Sequence, residues 1–410
     1  MNRQQQDRLT RIGPGTAMGE LLRRYWFPVA VSSELGSGGA QGVRLLDQAL
    51  VLFRTTDGTL GLLDELCTHR GSSLRYGHVD DEGIICPYHG RKFSPEGRCL
   101  SIPTEREVPK LLEKARTRGY PVQELGGLIF AYLGPAPAPL LPRYDLFVWN
   151  GVLRDIGRAL IPCNWLQIME NSVDPTHVEW LHGHHLAGIR RHAGKAVPTH
   201  YAKHHVKIGF DLFRYGIVKR RVVEGATEHD DDWEIGHPLI FPCMLRVGTQ
   251  EQHRFQIRVP IDDTHTMHYW YSCYRPKVGA VTPVQTDVPV YEVPWRDNDG
   301  NFIVDFVDGG DIMAWVTQGP IADRTRETLA SSDSGIVLYR RLLMEQARKA
   351  ARGEDPIGVI RDPLENTIIE FSQEHNKFRA GAAFLREAIE MSHVRYSPIK
   401  ERIVQLLEHS

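Results

Sequence analysis

The sequence predicts an α+β protein in two parts: a small all-β unit near the N-terminus, then a larger unit in which a curved sheet carries helices on one side. Three observations predict it. Between Phe27 and Leu133, short runs rich in Val, Leu and Ile are separated by Gly and Asp. A proline-rich stretch, "GPAPAPLLP" at 134–142, follows. Beyond it, strand-like runs across 198–276 give way to long helical ones.

Taken in order, residues 1–26 read as an N-terminal helical arm. An apolar stripe at Met18, Leu21, Leu22 and Tyr25 marks it, and Gly13, Pro14 and Gly15 interrupt it. Residues 27–133 read as the β domain, with "FPVAVSSEL", "VRLLDQALVLFRTTDGTLGLLDE", "GIICPYHG" and "GGLIFAYLGP" as its strand segments. Residues 134–142 read as a linker, because prolines stiffen the chain and supply no ladder donors. Residues 143–410 form the second domain. Its 160–186 stretch is helix-like and dense in His and acidic residues. Its strands are "HVKIGFDLFRYGIVKRRVV", "HPLIFPCMLRVG", "HRFQIRVPI" and "HTMHYWYSCYRP". The helix "SSDSGIVLYRRLLMEQARKAA" takes Ser332 or Asp333 as its N-cap.

A formal charge of −2, with Lys and Arg scattered along the chain, argues against a nucleic-acid or anionic-membrane partner. The start, "MNRQQQDRLTRIGPGT", has no apolar core for a secretory signal. The most apolar stretch is broken by prolines short of a bilayer span. The expectation is a soluble cytoplasmic protein whose cysteines, Cys67, Cys86, Cys99, Cys163, Cys243 and Cys273, are free thiols rather than a disulfide framework.

Two constellations carry chemistry. In the first, Cys67 and His69 are separated by one residue, and Cys86 and His89 by two, with sixteen residues between the pairs. The plain reading is a structural Cys2His2 zinc site. The single residue between Cys67 and His69 suits a binuclear cluster better, each of the two binding a different iron. With the following "HGRKFSPEGRC", the stretch resembles a Rieske [2Fe–2S] domain. That resemblance implies Cys67 and Cys86 on one iron and His69 and His89 on the other. The positions of the disulfide staple of respiratory members hold Ser72 and Tyr88, which is similar to the cluster type of oxygenases and their ferredoxins. Arg91 stands where many oxygenases have Trp, and Cys99 reads as a buried thiol.

The second constellation lies in "NWLQIMENSVDPTHVEWLHGHHLAG". Glu170, Asp174 and His177 fall at i, i+4 and i+7, one face of a helix, and four histidines (His177, His182, His184, His185) lie within nine residues. His184 is two turns, about 10 Å, from His177. His182, at i+5, reaches the same metal only where the helix is bulged or ends, and Gly183 makes an ending feasible. The segment resembles the D-x-x-H-x-x-x-x-H signature of Rieske non-haem iron oxygenases. The resemblance implies that His177 and His182 ligate a mononuclear Fe(II) and that Asn171 stands near it. Asp174 would bridge a ligating histidine to a cluster histidine of the neighbouring subunit. For a third ligand the acids are Asp305, Asp308, Asp311 and Asp323. The similarity of "GGDIMAWVTQGPIADRTRETLASSD" to the phthalate-type branch implies Asp311. Asp323 reads as part of a local ion-pair network with Arg324 and Glu327.

The resemblance covers nearly the whole chain. It implies a helix-grip (START/Bet v1-like) catalytic domain and an oxygenase component that uses O2 and NADH-derived electrons to hydroxylate or O-demethylate an aromatic carboxylic acid in aromatic-compound catabolism. It also implies an NADH-dependent flavin and iron–sulfur reductase as partner, and a homotrimer or a pair of stacked trimers. Arg70, Arg75, Arg91, Lys92 and Arg98 ring the cluster loops, either to dock an acidic partner or as ordinary solvated charges. Arg190, Arg214, His237 and Arg258 are the candidates for the substrate carboxylate. The alternatives are a Rieske-type electron-transfer protein without oxygenase chemistry, against which the iron triad argues, and a zinc-stapled binding module.

Overall fold

A computed structural model describes residues 1–106, 109–197, 200–249, 251–276, 284–379 and 389–408. The arm is two helices, α1 (Arg3–Thr10) and α2 (Ala17–Leu22). The Asn2 side chain caps α1, and Thr16 Oγ1 accepts from Gly19 N to cap α2. The first half then builds three small antiparallel sheets. β1 (Trp26–Val31) pairs with β10 (Leu128–Tyr132), which pairs with β9 (Val122–Leu125). β2 (Ala40–Leu45), β3 (Gln48–Arg54) and β4 (Leu60–Asp64) form a meander. β5 (His78–Val79), β6 (Ile84–Ile85), β7 (Lys92–Phe93) and β8 (Cys99–Ser101) form the third sheet. A short helix, α3 (Pro109–Lys114), follows β8.

The second half is organised by one eight-stranded sheet in the order β12, β13, β14, β15, β16, β17, β11, β18. Its strands are β11 (Leu153–Ile161), β12 (His205–Phe213), β13 (Gly216–Val223), β14 (His237–Ile240), β15 (Met244–Thr249), β16 (Gln252–Asp262), β17 (His265–Tyr274) and β18 (Val290–Glu292). All neighbours are antiparallel except β11 and β18. Helices α4 (Asp145–Val148), α5 (Trp165–Val173), α6 (Leu186–His192), α7 (Asp231–Glu234), α8 (Val307–Thr317) and α9 (Ser334–Ala351) accompany it, with a last helix at Lys400–Glu408. Asp333 occupies the N-cap position of α9, but its carboxylate accepts from Ala330 N rather than from the helix.

β16 shows how the sheet serves two interiors. Phe255 and Ile257 point into a core shared with Trp26, Phe27, Phe130 and Phe147, so the two halves are welded by aromatic packing. Arg254, Gln256 and Arg258, on the opposite face, line a cavity under α5 and α8. The proline-rich stretch is tied down as well, with Leu140 N donating to Ile360 O. Among the described residues, no helix is long and apolar enough to cross a membrane.

Two expectations about α5 need correction. The helix stops at Val173, because Pro175 disfavours helical geometry in the residue before it and Asp174 is extended (φ −78°, ψ 119°). Glu170 therefore does not share a helix face with Asp174 and His177. It is buried between Arg324, whose Nη2 lies 2.7 Å from Oε2, and Arg340, whose Nε lies 2.6 Å from Oε1. The ion-pair network expected around Asp323 centres on Glu170 instead. Arg324 turns inward to it and Arg340 joins it to Glu327, while Asp323 accepts from Thr325. Glu170→Gln leaves two buried guanidiniums without their shared charge. A loss of about 3–5 kcal/mol in unfolding free energy is expected, measured by denaturant titration.

Candidate active site

The residues after α5 form the centre. Asp174, pushed out of the helix, caps the next one: its Oδ1 accepts from Thr176 N at 2.7 Å and Thr176 Oγ1 at 2.6 Å, and its Oδ2 from His177 N at 3.2 Å. The turn is not an α-helix. Residues Val178–His185 form a π-helix that runs directly into α6. The wider turn brings residues five apart onto one side, so His177 and His182 converge, with ring centroids 5.1 Å apart and planes at 80°.

Of the two routes by which i+5 could reach, the bulge is realised and the helix ending is not. Gly183 has a different role from the expected cap. A Cβ there would lie 2.5 Å from Ala202 Cα and 2.7 Å from Ala202 N, so its hydrogen lets the π-turn press against the neighbouring backbone. His184 and His185 point to solvent.

Asp311 arrives from α8. Its Oδ1 is 3.3 Å from His182 Nε2 and 3.8 Å from His177 Nε2, and the three ligand atoms lie within 4.8 Å of one another. Asp311 Oδ1 is buried and makes no hydrogen bond. On its outer side, His177 Nδ1 lies 3.5 Å from Asp174 Oδ2, so one imidazole faces two carboxylates. The other acids are engaged elsewhere. Asp305 pairs with Lys195 and Arg395, and Asp308 accepts from Trp270 Nε1 and His393 N.

These groups open on a cavity also lined by Asn171. Of the four carboxylate candidates, His237 and Arg258 line it. Arg190 is spent on the carbonyls of Ala196 and Asp305, and Arg214 pairs with Glu365 on the surface. Sequence reasoning missed Arg254 and Lys219, both buried in the cavity wall. The available signal was alternation: Arg254, Gln256 and Arg258 in β16, and Lys219 and Arg221 in β13, place polar groups on one face of otherwise apolar strands.

The other constellation lies at the tip of the first half, in two loops of matching design. Cys67 N donates to Ser72 O and Gly71 N to Cys67 O; Cys86 N donates to Arg91 O and Gly90 N to Cys86 O. Each loop turns on a left-handed glycine, Gly71 at φ +73° and Gly90 at φ +71°. The two thiols face each other, and burial, with Cys86 adding to it, pushes Cys67 up to about 11. The rings of His69 and His89 are 4.6 Å apart, and His89 Nδ1 is buried without a partner. Cys99 is a buried thiol, and all six cysteines are free. Of the surrounding cations, Lys92 is held by Asp80 and Glu82 and Arg98 by Glu96. Arg70 and Arg75 stack on Tyr88 and Tyr76.

The Rieske [2Fe-2S] domain family matches residues 25–112, and the family described as "LigXa C-terminal domain like" matches 131–284 and 297–380. The chain belongs to the Rieske non-haem iron oxygenases, as an oxygenase subunit. Its particular relatives include the oxygenase subunit of 5,5'-dehydrodivanillate O-demethylase of Sphingobium sp. (strain NBRC 103272 / SYK-6), 40% identical over 92% of this chain and 87% of that one. The oxygenase subunit of phthalate 4,5-dioxygenase of Pseudomonas putida is 29% identical over 88% of this chain and 90% of that one. Among solved structures, NdmA of Pseudomonas putida CBB5 shares the fold, with a TM-score of 0.59 at 19% identity over 84% of this chain and 97% of that one. The protein is thus an oxidoreductase whose cofactors are a Rieske cluster and a mononuclear iron, and the carrier and zinc-module alternatives fall away.

Gly183→Ala forces a methyl into the Ala202 backbone and should cost about 1–3 kcal/mol in denaturation. Gly188→Ala, with nothing within 4 Å of its Cβ, should be neutral or stabilising by up to about 1 kcal/mol.

Proposed function

We propose that this chain hydroxylates or O-demethylates an aromatic carboxylic acid with O2, drawing NADH-derived electrons through a flavin and iron–sulfur reductase. One observation carries the reading: His177, His182 and Asp311 converge on a cavity whose wall holds two buried arginines, Arg254 and Arg258, that form no ion pair with any described residue. Both lie in the field of the buried Asp308, and Arg258 donates to the backbone and side-chain oxygens of Gln256, so a substrate carboxylate would add a direct ion pair that neither arginine makes. The names of the relatives, an O-demethylase and a phthalate dioxygenase among them, support the same substrate class.

The residues fit both metal groups. Two facing thiols and a buried imidazole nitrogen without a partner suit a [2Fe–2S] cluster on Cys67, Cys86, His69 and His89. The unpartnered Asp311 oxygen and the two Nε2 atoms suit a 2-His-1-carboxylate iron site. When bound, these groups supply single electrons and the open coordination positions at which O2 is activated.

The chain's own side chains do the rest. Asp174, tied by Thr176 and the His177 N–H, fixes the His177 ring and its tautomer. Its carboxylate keeps 19% exposure, and His69 is exposed at the cluster tip. Each group is therefore accessible to a neighbouring copy, which supports Asp174 as the bridge to a partner's cluster histidine in a homotrimer or stacked trimers. Asn171 lines the same cavity, where it would stand near the iron. Arg254 and Arg258 hold the substrate carboxylate, and the chain divides into a cluster domain at 27–133 and a catalytic domain at 143–410.

Oxygen uptake with NADH, a reductase and a panel of benzoates, phthalates and methoxybenzoates tests this reading. Formaldehyde release identifies demethylation and a cis-diol identifies dioxygenation; no substrate-dependent uptake by enzyme with both centres loaded would reject it. His182→Ala should lose about one iron per chain while keeping the visible spectrum of the cluster. Asp174→Asn should keep both centres loaded, yet lower product formed in a single turnover by at least about tenfold.

A further inference from the structure

A stack of rings runs from α8, the helix that carries Asp311, to the edge strand β18. Trp315 of α8 stacks on His268, with centroids 5.6 Å apart, and His268 packs on Trp270 at 4.2 Å. Trp270 stacks on His393 at 5.2 Å, and His393 on Tyr291 of β18 at 6.4 Å. Core packing accounts for these contacts. It does not account for the different treatment of the polar atoms on the three rings that oxidise most easily, the two indoles and the phenol. Trp315 Nε1 and the Tyr291 hydroxyl are buried and make no hydrogen bond with any described residue. Trp270 Nε1 donates to Asp308 Oδ1 at 2.7 Å.

That difference decides which ring can give up an electron. An indole that loses one becomes acidic at Nε1, and in a dry interior the resulting charge is costly unless a base takes the proton. Asp308 is such a base. Burial raises its carboxyl, but His393, whose N–H donates to Oδ2 at 2.8 Å, and the Arg254 guanidinium hold it well below the usual carboxylate range. Asp308 also reaches the candidate iron site. It lines the cavity with Asp311, and the two stand three residues apart on α8, neighbours on one helix face. A single carboxylate thus joins the Trp270 indole to the cavity wall. One other oxidisable ring competes: Tyr201 lines the same cavity, with its centroid 6.1 Å from that of His182.

We propose that Trp270 is a protective electron donor, oxidised when oxygen or peroxide reacts at the iron while no substrate fills the cavity. It rests on His177, His182 and Asp311 as the iron site and is independent of which substrate the cavity takes. Trp270 loses one electron to the iron site and its Nε1 proton to Asp308 Oδ1, leaving a neutral indolyl radical. With hydrogen peroxide as the oxidant the step balances. Peroxide takes one electron from the ferrous ion, one from Trp270 and two protons from solvent, and leaves as two waters. The oxidising equivalent is thereby drawn away from the ligating imidazoles into a buried ring.

The test is freeze-quench electron paramagnetic resonance of the iron-loaded, substrate-free holoenzyme, its cluster oxidised, mixed with hydrogen peroxide. An organic radical should form. Its line shape should change in protein grown with ring-deuterated tryptophan and stay the same with ring-deuterated tyrosine. Peptide mapping of the same samples should find oxidised tryptophan at 270 and not at 315. Trp270→Phe should lose the signal and Trp315→Phe should keep it. Asp308→Asn, which keeps an oxygen acceptor but not the charge, should lower the yield at least about tenfold. His182→Ala, which loses the iron, should give no radical. A tyrosine-type radical, which Tyr201 would produce, overturns the proposal. So does the absence of any radical in the native protein, oxidation at Trp315 instead of Trp270, or a signal that survives Trp270→Phe or His182→Ala. If Trp270→Phe does not fold, the labelled native protein and its peptide map decide alone.

Discussion

Everything at the candidate catalytic centre depends on one geometric demand: two imidazoles five residues apart must point at the same place. A regular α-helix rotates residues about 100° each and cannot do this. The π-helix at Val178–His185 meets the demand by widening the turn, and its neighbours keep it widened. Pro175 breaks the preceding helix, Asp174 starts the next, and Gly183 lets the bulged backbone seat against Ala202. A π-turn is poorly favoured by itself, so it persists because the contacts on both sides specify it. The same carboxylate that starts the turn also faces His177 Nδ1, which joins the local folding device to the chemistry of the ligand.

A second constraint is electrostatic. The inner face of the large sheet buries cations: Lys219 and Arg221 on one strand, Arg254 and Arg258 on another. Some are compensated internally, as Arg221 is by Asp232 and Glu374. Lys219, Arg254 and Arg258 make no salt bridge among the described residues. Burying charge without compensation is costly to stability, and the sheet tolerates it because its other face is packed with Phe255, Ile257 and Phe147 against the first half of the chain. The aromatic weld thus backs a wall of buried cations and joins the Rieske half to the half that carries the candidate iron site.

The cluster tip obeys a simpler rule. Two loops closed by the same pair of backbone hydrogen bonds, each turned by a left-handed glycine, present one Cys and one His apiece. Each turn is local, which is why the motif was readable from its spacing together with the flanking "HGRKFSPEGRC". The candidate iron triad is the opposite case. Asp311 lies more than a hundred residues from His182, and the acids Asp305 and Asp308 are near it in sequence but are committed to Arg395 and Trp270.

The sequence by itself determined the elements and their periods. Runs rich in Val, Ile and aromatic residues marked the long strands, and the cysteine–histidine spacings with their flanks marked the cluster loops. The five-residue gap between His177 and His182 already required a bulge or an ending, because these features are set by neighbours within a few residues. Only the tertiary structure chose between those two, drew Glu170 away to Arg324 and Arg340, and placed Arg254 and Lys219 in the wall of one cavity. Those outcomes depend on which strands become neighbours and on where buried charge finds a partner, and both are decided by contacts between residues far apart in the chain.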